Sequence, residues 1–438
     1  MKVNFYVLMA MSLIITQIHS DEPSDVKPSN TDEVVVTASI LNPSRIINPV
    51  YVIDGDEIED NATTSLGEAV DSYLGVSIAD YGAAVGQPII RGMSGPRVKV
   101  LKNGMVNRDV SGLGADHLND IDLNNLEQVE IVKGPSSLLY ANGTSGGIIN
   151  VVDNCIAPED FSTQEFIAGL ETQSVNEGDS EYFNFKDNVN GFNVNVGYKK
   201  SEFGNFDIPD DAVMHDEGHE GHDEHEKELS YLENSDLEIE STKFGISRAG
   251  EWGYFGVSVD NHESMYGIPY HGEHADEDGH DDHDDHADED GHDDHADDDH
   301  DDHDEHEGER IFSTTDQESF TIRGLYNVNG SLINSVTYNY RDTEYSLIEA
   351  HAEEEGHDDH ADEDEHEPTV FSNDATEYGA IFDLSTDNLI QKIALNFVDE
   401  DSSIVGEEKF MNPANNEEFT LGYFLSADLD MFYLDAGF

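Results

Sequence analysis

From about residue 164 the chain alternates between apolar and polar positions. Phe192, Val194, Val196 and Tyr198 interleave with Asn193, Asn195, Gly197 and Lys199. Val336, Tyr338 and Tyr340 interleave with Thr337, Asn339 and Arg341, and Phe419, Leu421, Tyr423 and Leu425 repeat the pattern. A period of two over about ten residues predicts strands with one apolar and one polar face, the pattern of a transmembrane barrel. Strands of a soluble β-sandwich are shorter, about 5–6 residues. Eleven strands are read near 164–174, 181–189, 192–203, 236–248, 252–263, 315–327, 332–344, 374–385, 389–399, 418–427 and 430–438. Every second junction is tight, as at Asn190-Gly191, Asn329-Gly330 and Asp428-Leu429, and the others are mostly long and polar. Short turns on one side and long loops on the other are what outer-membrane barrels show.

Residues 45–155 read differently, as a compact mixed α/β domain. Ser65 caps a short helix over LGEAVDSYL, and strands at Pro88–Arg91, Val98–Leu101 and Val129–Lys133 alternate with Gly-rich turns. Upstream, Lys2 and an apolar run from Val7 to Ile18 predict a signal peptide over 1–20, since about 12 apolar residues are too few to span a bilayer. Residues 21–44 are a polar arm with one β-prone patch at 33–38. No later stretch is a transmembrane helix, so the exported chain is either soluble or a closed barrel.

Charge sharpens this picture. Twenty Lys+Arg against 97 Asp+Glu give a net charge of −77, which excludes a nucleic-acid partner and points to cations. The single Cys, Cys155, excludes a disulfide framework and reads as a silent thiol. Residues 215–226, 271–307 and 351–367 hold 18 of the 21 His and 37 of the acids. The sequence HADEDGHDDH occurs at 274–283 and again at 286–295. These tracts are low-complexity and hold almost nothing to bury. They fall in three of the long junctions, about 204–235, 264–314 and 345–373, and so emerge on one side of the sheet.

His-x-x-His recurs within them. The candidate ligands are His219, His222, His225, His271, His274, His280, His283, His286, His292, His295, His300, His303, His306, His357 and His360. Neutral imidazole suits Zn, Cu and Ni, with carboxylate as a harder co-ligand. Acidity alone would explain the Asp and Glu but not a His at every third or fourth place. Such sites have high capacity and modest affinity, and they empty below about pH 6 as imidazole protonates. Outside the tracts, His262 on a strand reads as structural. Asp116-His117, in the Gly-flanked loop GLGADHLND, offers adjacent O and N donors, and spacing alone leaves its role open.

These residues together resemble TonB-dependent outer-membrane receptors. Glu33, Val34, Val35, Val36, Thr37 and Ala38 look like a TonB box. Ile90-Arg91-Gly92-Met93 with Arg97–Gly104 looks like the core of the plug, and Val129–Tyr140 with Gly146–Val151 resembles its closing motif. Within that family the chain is similar to ZnuD-like zinc receptors, which pair a plug Asp-His with His-rich outer loops. The resemblance implies metal-ligand roles for Asp116 and His117. It also implies a plug inside a transmembrane antiparallel β-barrel spanning 160–438, in the outer membrane of a Gram-negative bacterium. Family barrels have about 22 strands, so eleven suggest that about the first half is present and that the chain is C-terminally truncated. The expected protein is a monomeric importer, not an enzyme, and needs no cofactor. Its partners are TonB with its inner-membrane complex, outer-membrane lipid and a divalent metal ion. Zinc is the expected cargo, with copper, nickel, haem or a metal chelate as alternatives. A secreted metal buffer is the reading from a different class. Neither Gly-x-Ser-x-Gly nor His-Glu-x-x-His occurs to suggest catalysis.

Overall fold

The computed structural model describes residues 50–60, 65–82, 84–141, 143–209, 230–269, 310–328, 330–351, 367–386, 388–406, 409–429 and 433–438. The expected signal peptide, the box at 33–38 and every candidate His of the three tracts lie outside the described residues.

The first unit contains β1 (Val50–Asp54), α1 (Gly55–Asp60), α2 (Leu66–Val70), β2 (Val76–Tyr81), β3 (Val85–Ile90), β4 (Val98–Lys102), β5 (Met105–Val106), β6 (Leu126–Val132) and β7 (Gly147–Asp153). Its main sheet has the order β1-β6-β7-β4-β5, with β4 and β7 parallel, and β2 pairs with β3 beside it. Strands β6 and β7 are buried on both faces, and the polar residues they carry inside are paired: Glu130 accepts from Gln128 Nε2, Tyr140 Oη and Asn150 Nδ2. Ile53, Val129, Ile131, Ile149 and Val151 form the centre of this core. Ser65 caps α2 by accepting from the Glu68 N–H at 3.2 Å. The helix ends at Val70 rather than at Leu74, because the chain turns at Tyr73 and reverses at Gly75, whose φ is +76°.

The second unit is one antiparallel sheet. Its strands are β8 (Glu165–Gln173), β9 (Gly178–Val189), β10 (Phe192–Phe203), β13 (Leu237–Gly250), β14 (Gly253–Gly267), β15 (Ile311–Asn327), β16 (Ser335–His351), β17 (Thr369–Asp383), β18 (Leu389–Val405), β19 (Ala414–Asp428) and β20 (Tyr433–Gly437). They pair in chain order, and the short pair β11 (Phe206–Asp207) and β12 (Tyr231–Leu232) stands apart between β10 and β13. The faces are inverted relative to a soluble sheet. Ser313, Thr315, Gln317 and Thr321 of β15 are buried, while Phe320 on the same strand is exposed. An outward ladder of rings runs from Phe320 to Tyr340, Tyr378 and Phe397, with centroids 6.3, 5.0 and 6.3 Å apart across four successive strands. Polar inside and aromatic outside is the arrangement lipid requires and a sandwich forbids. No helix among the described residues is long and apolar enough to cross a membrane.

The plug packs against the inward face of this wall. Leu101, Val132 and Ile148 meet Ala394 and Phe424, while Val110 meets Tyr345, Leu347 and Phe371. Because the strands alternate in direction, the β10–β13, β14–β15 and β16–β17 connections, which carry the tracts, all leave from one end of the sheet.

Candidate metal centre between plug and wall

The loop between β5 and β6 carries Asp116 and His117, and its shape is set locally. Asp109 ties its base: Oδ1 accepts from the Ser111 N–H at 3.1 Å and from Ser111 Oγ at 2.6 Å, and Oδ2 accepts from Asn107 Nδ2 at 2.9 Å and the Asp120 N–H at 3.2 Å. Burial pushes the Asp109 carboxyl up to about 6, against the downward pull of the Ser111 hydrogen bonds. From β3, Gln87 Nε2 donates to the carbonyls of Ser111, Gly114 and His117 at 2.9, 2.8 and 3.0 Å. One side-chain amide thus clamps the turn that presents the Asp-His pair.

His117 is buried, and its Nδ1 lies 3.1 Å from the Val110 carbonyl oxygen. A carbonyl can only accept, so Nδ1 carries the proton and Nε2 keeps its lone pair. The Phe371 ring holds the imidazole edge-on, with centroids 4.9 Å apart. Nε2 then faces Glu349 on β16, 4.0 Å from Oε2. With half-buried Asp116, the donor atoms of Asp116, His117 and Glu349 lie within 4.8 Å of one another. One imidazole and two carboxylates suit a first-row divalent ion, whose bonds of about 2.0–2.2 Å would draw the three inward. The local field favours a cation. Burial, and after it the nearby Asp116 and Glu349 carboxylates, push the Tyr81 hydroxyl upward.

The cluster depends on a missing side chain. A Cβ at Gly114 would stand 2.5 Å from Asp116 Oδ1 and 3.3 Å from His117 Nδ1. Gly114→Ala is therefore expected to leave the fold intact, swing the Asp116 carboxylate away and weaken metal binding about tenfold by calorimetry.

Sequence reasoning picked out Asp116 and His117 but missed Glu349. Its only local signal is its inward parity with Arg341, Thr343, Tyr345 and Leu347, next to the third tract. His262, read as structural, is buried with Nε2 2.8 Å from Asp120 Oδ1. Beyond this level the plug is tied to the wall by ion pairs. Lys243 meets Asp122 at 2.7 Å and Lys102 pairs with Asp260, while Arg108 reaches Glu377 at 3.5 Å and Glu400 at 3.4 Å. Burial alone would raise the Asp122 carboxyl; Lys243, followed by more distant His262, holds it well below the usual carboxylate range. Asp153 is likewise depressed, the Lys243 and Lys102 ammonium groups outweighing its burial. Carboxyls depressed by folding stabilise the docked plug above their unfolded values near 4 and lose that contribution as they protonate. Thermal melting in detergent is thus expected to fall as pH drops below about 4.

A mixed-sheet domain held on the polar inner face of an antiparallel wall, with an aromatic outer face, is the build of a plugged transmembrane β-barrel. Residues 42–148 match the family model for the TonB-dependent receptor plug domain. The vitamin B12 transporter BtuB of Vibrio vulnificus is 28% identical over 169 residues, which is 38% of this chain and 27% of that protein. The copper transporter OprC shares the fold with a TM-score of 0.59 at 13% identity, covering 89% of this chain and 54% of its own. The FrpB iron transporter from Neisseria meningitidis gives 0.59 at 11% identity, covering 89% and 58%. Residues 42–148 thus form a TonB-dependent receptor plug domain, and the wall around it shares the barrel fold of these transporters. The chain spans about a quarter of the length of the curated relatives it matches and about half of the solved structures.

Proposed function

We propose that the protein imports a divalent transition metal, zinc first, in the manner of the ZnuD-like receptors it resembles. The observation that carries the reading is the convergence of Asp116, His117 and Glu349 within 4.8 Å, at the end of the wall from which the His tracts leave. The acidic tracts raise the local cation concentration by field and by transient ligation. The cluster then takes the ion with a fixed tautomer and two carboxylates. Residues 33–38 receive TonB by strand addition, in which backbone hydrogen bonds supply the affinity. Force on that arm moves the plug, and the ion passes.

The related transporters carry vitamin B12, copper and iron, so they do not select the cargo. The donor set narrows it only so far: it holds nitrogen and oxygen but no sulfur, which disfavours copper(I), and zinc over copper(II) and nickel rests on the resemblance. Nickel and copper(II) are the competing cargoes. Presenting the purified receptor with an equimolar mixture of zinc, copper, nickel and manganese, and measuring which ion disappears from solution, tests the choice. Zinc depletion that persists after Asp116 and His117 are removed, with no loss of tight sites, would refute the assignment.

A further inference from the structure

The geometry points to a second cation station deeper in the receptor: His262, oriented by Asp120, offers Nδ1 to the divalent ion on its way past the plug. This rests on the importer reading and extends it from capture to passage. His262 is on the inward face of β14 and only 5% exposed; Asp120, on the plug loop, is fully buried. Nε2 lies within hydrogen-bond distance of Asp120 Oδ1, at 2.8 Å. A carboxylate holding one imidazole nitrogen while the other takes the metal is the usual support of a metal-binding His. Here the other nitrogen, Nδ1, is buried and has no hydrogen-bond partner. Buried polar atoms are almost always satisfied, so this one asks for an occupant. The ring lines a cavity of about 20 Å³ with Ser65, Asn119 and Ser264, and the rest of the wall is mostly apolar, Leu118 and Leu237 included. That is room for one water-sized guest, with oxygen donors on one part of its wall.

Position and charge agree. Strand register places His262 opposite Gln317, and Gln317 opposite Tyr345. Tyr345 is four residues from Glu349 along β16 toward the tight-turn end, about 13 Å at about 3.3 Å per residue. Beyond His262, Asp122 and Asp260 are matched by Lys243 and Lys102. At its own level, neither Asp109 nor Asp120 pairs with Lys or Arg among the described residues, so a mobile cation has a place there. One imidazole with hydroxyl and amide neighbours binds weakly, and a site in transit must release its ion.

The test uses zinc alone. Crystals of the receptor soaked in zinc at about pH 8.5, well above the ordinary imidazole range, are read by anomalous scattering at the zinc edge. Two peaks are expected, one within the Asp116–His117–Glu349 cluster and one against His262 Nδ1. His262→Lys still gives Asp120 a hydrogen-bonding partner but offers no ring nitrogen. In it the deeper peak is expected to vanish, and maximal zinc uptake by cells to fall at least about tenfold with half-saturation unchanged. An outer peak without an inner one in the wild-type receptor overturns the relay and leaves the capture site standing. No peak at either place removes both readings. Wild-type uptake in His262→Lys also overturns the relay, because the ring nitrogen would then be dispensable.

Discussion

Replacing Asp116 and His117 together by Ala is expected to abolish tight zinc binding, weakening it by about two orders of magnitude or more, and to leave weak, high-capacity binding in place. The two components are separable because their physics differs. In the cluster, Gln87 fixes the loop, the Val110 carbonyl fixes the tautomer and Phe371 fixes the ring. Little ordering would remain for an arriving ion, so high affinity is expected. The tract sequences hold almost no apolar residue, so a site there would carry the full cost of ordering its chain. Calorimetry should show two phases in the wild-type protein and only the weak one in the double variant. Glu349→Gln, which keeps shape and removes one charge, should fall between them. A tight phase unchanged by Asp116→Ala with His117→Ala would mean that the cluster is not the capture site.

The largest expected stability effect lies deeper. Lys243→Met is expected to destabilise the docked plug by about 3–5 kcal/mol near neutral pH. Lys243 Nζ lies 2.7 Å from Asp122 and donates to the Asn124 carbonyl at 2.9 Å, all of it buried. Methionine keeps the stem and removes the charge, so the Asp122 carboxylate is left unpaired away from water. The sign of the pH dependence should then reverse. With Lys243 present, Asp122 is depressed and its contribution is lost as pH falls. Without it, burial raises Asp122, and acidification relieves the buried charge. Lys243→Met with Asp122→Leu should recover much of the loss, since an apolar pair needs no compensation. Thermal melts at neutral and mildly acidic pH read both effects. A variant that still loses stability on acidification would refute this account of Lys243.

The wall was legible in the sequence wherever it touches lipid. Alternation located each strand and each tight turn because the bilayer demands apolar residues on one face only. It failed toward the tract end. Strand β16 runs to His351 rather than residue 344, β18 to Val405 rather than 399, and β15 begins at Ile311 rather than 315. Outward positions there are Asp316, Glu318, Asp342, Glu344 and Asp399, polar like the inward ones. Backbone pairing continues while the period-two signal disappears. The Asp-His pair was visible because its two donors are adjacent in a Gly-flanked turn. Glu349 and the Asp120–His262 contact were not, since each joins plug to wall across long stretches of chain and no local pattern encodes such a meeting.

Where the plug hands over to the wall, its backbone lies flush against the strands. A Cβ at Gly245 would overlap the Cys155 carbonyl, and one at Gly256 would strike Ile156. Ser247 Oγ donates to the Ala157 carbonyl at 2.7 Å, and Asn195 Nδ2 to that of Asn154 at 3.1 Å. This seam leaves no slack for sliding. Residues 154–157 are therefore the point at which the plug is anchored to the wall, and any movement of the plug would have to turn about them.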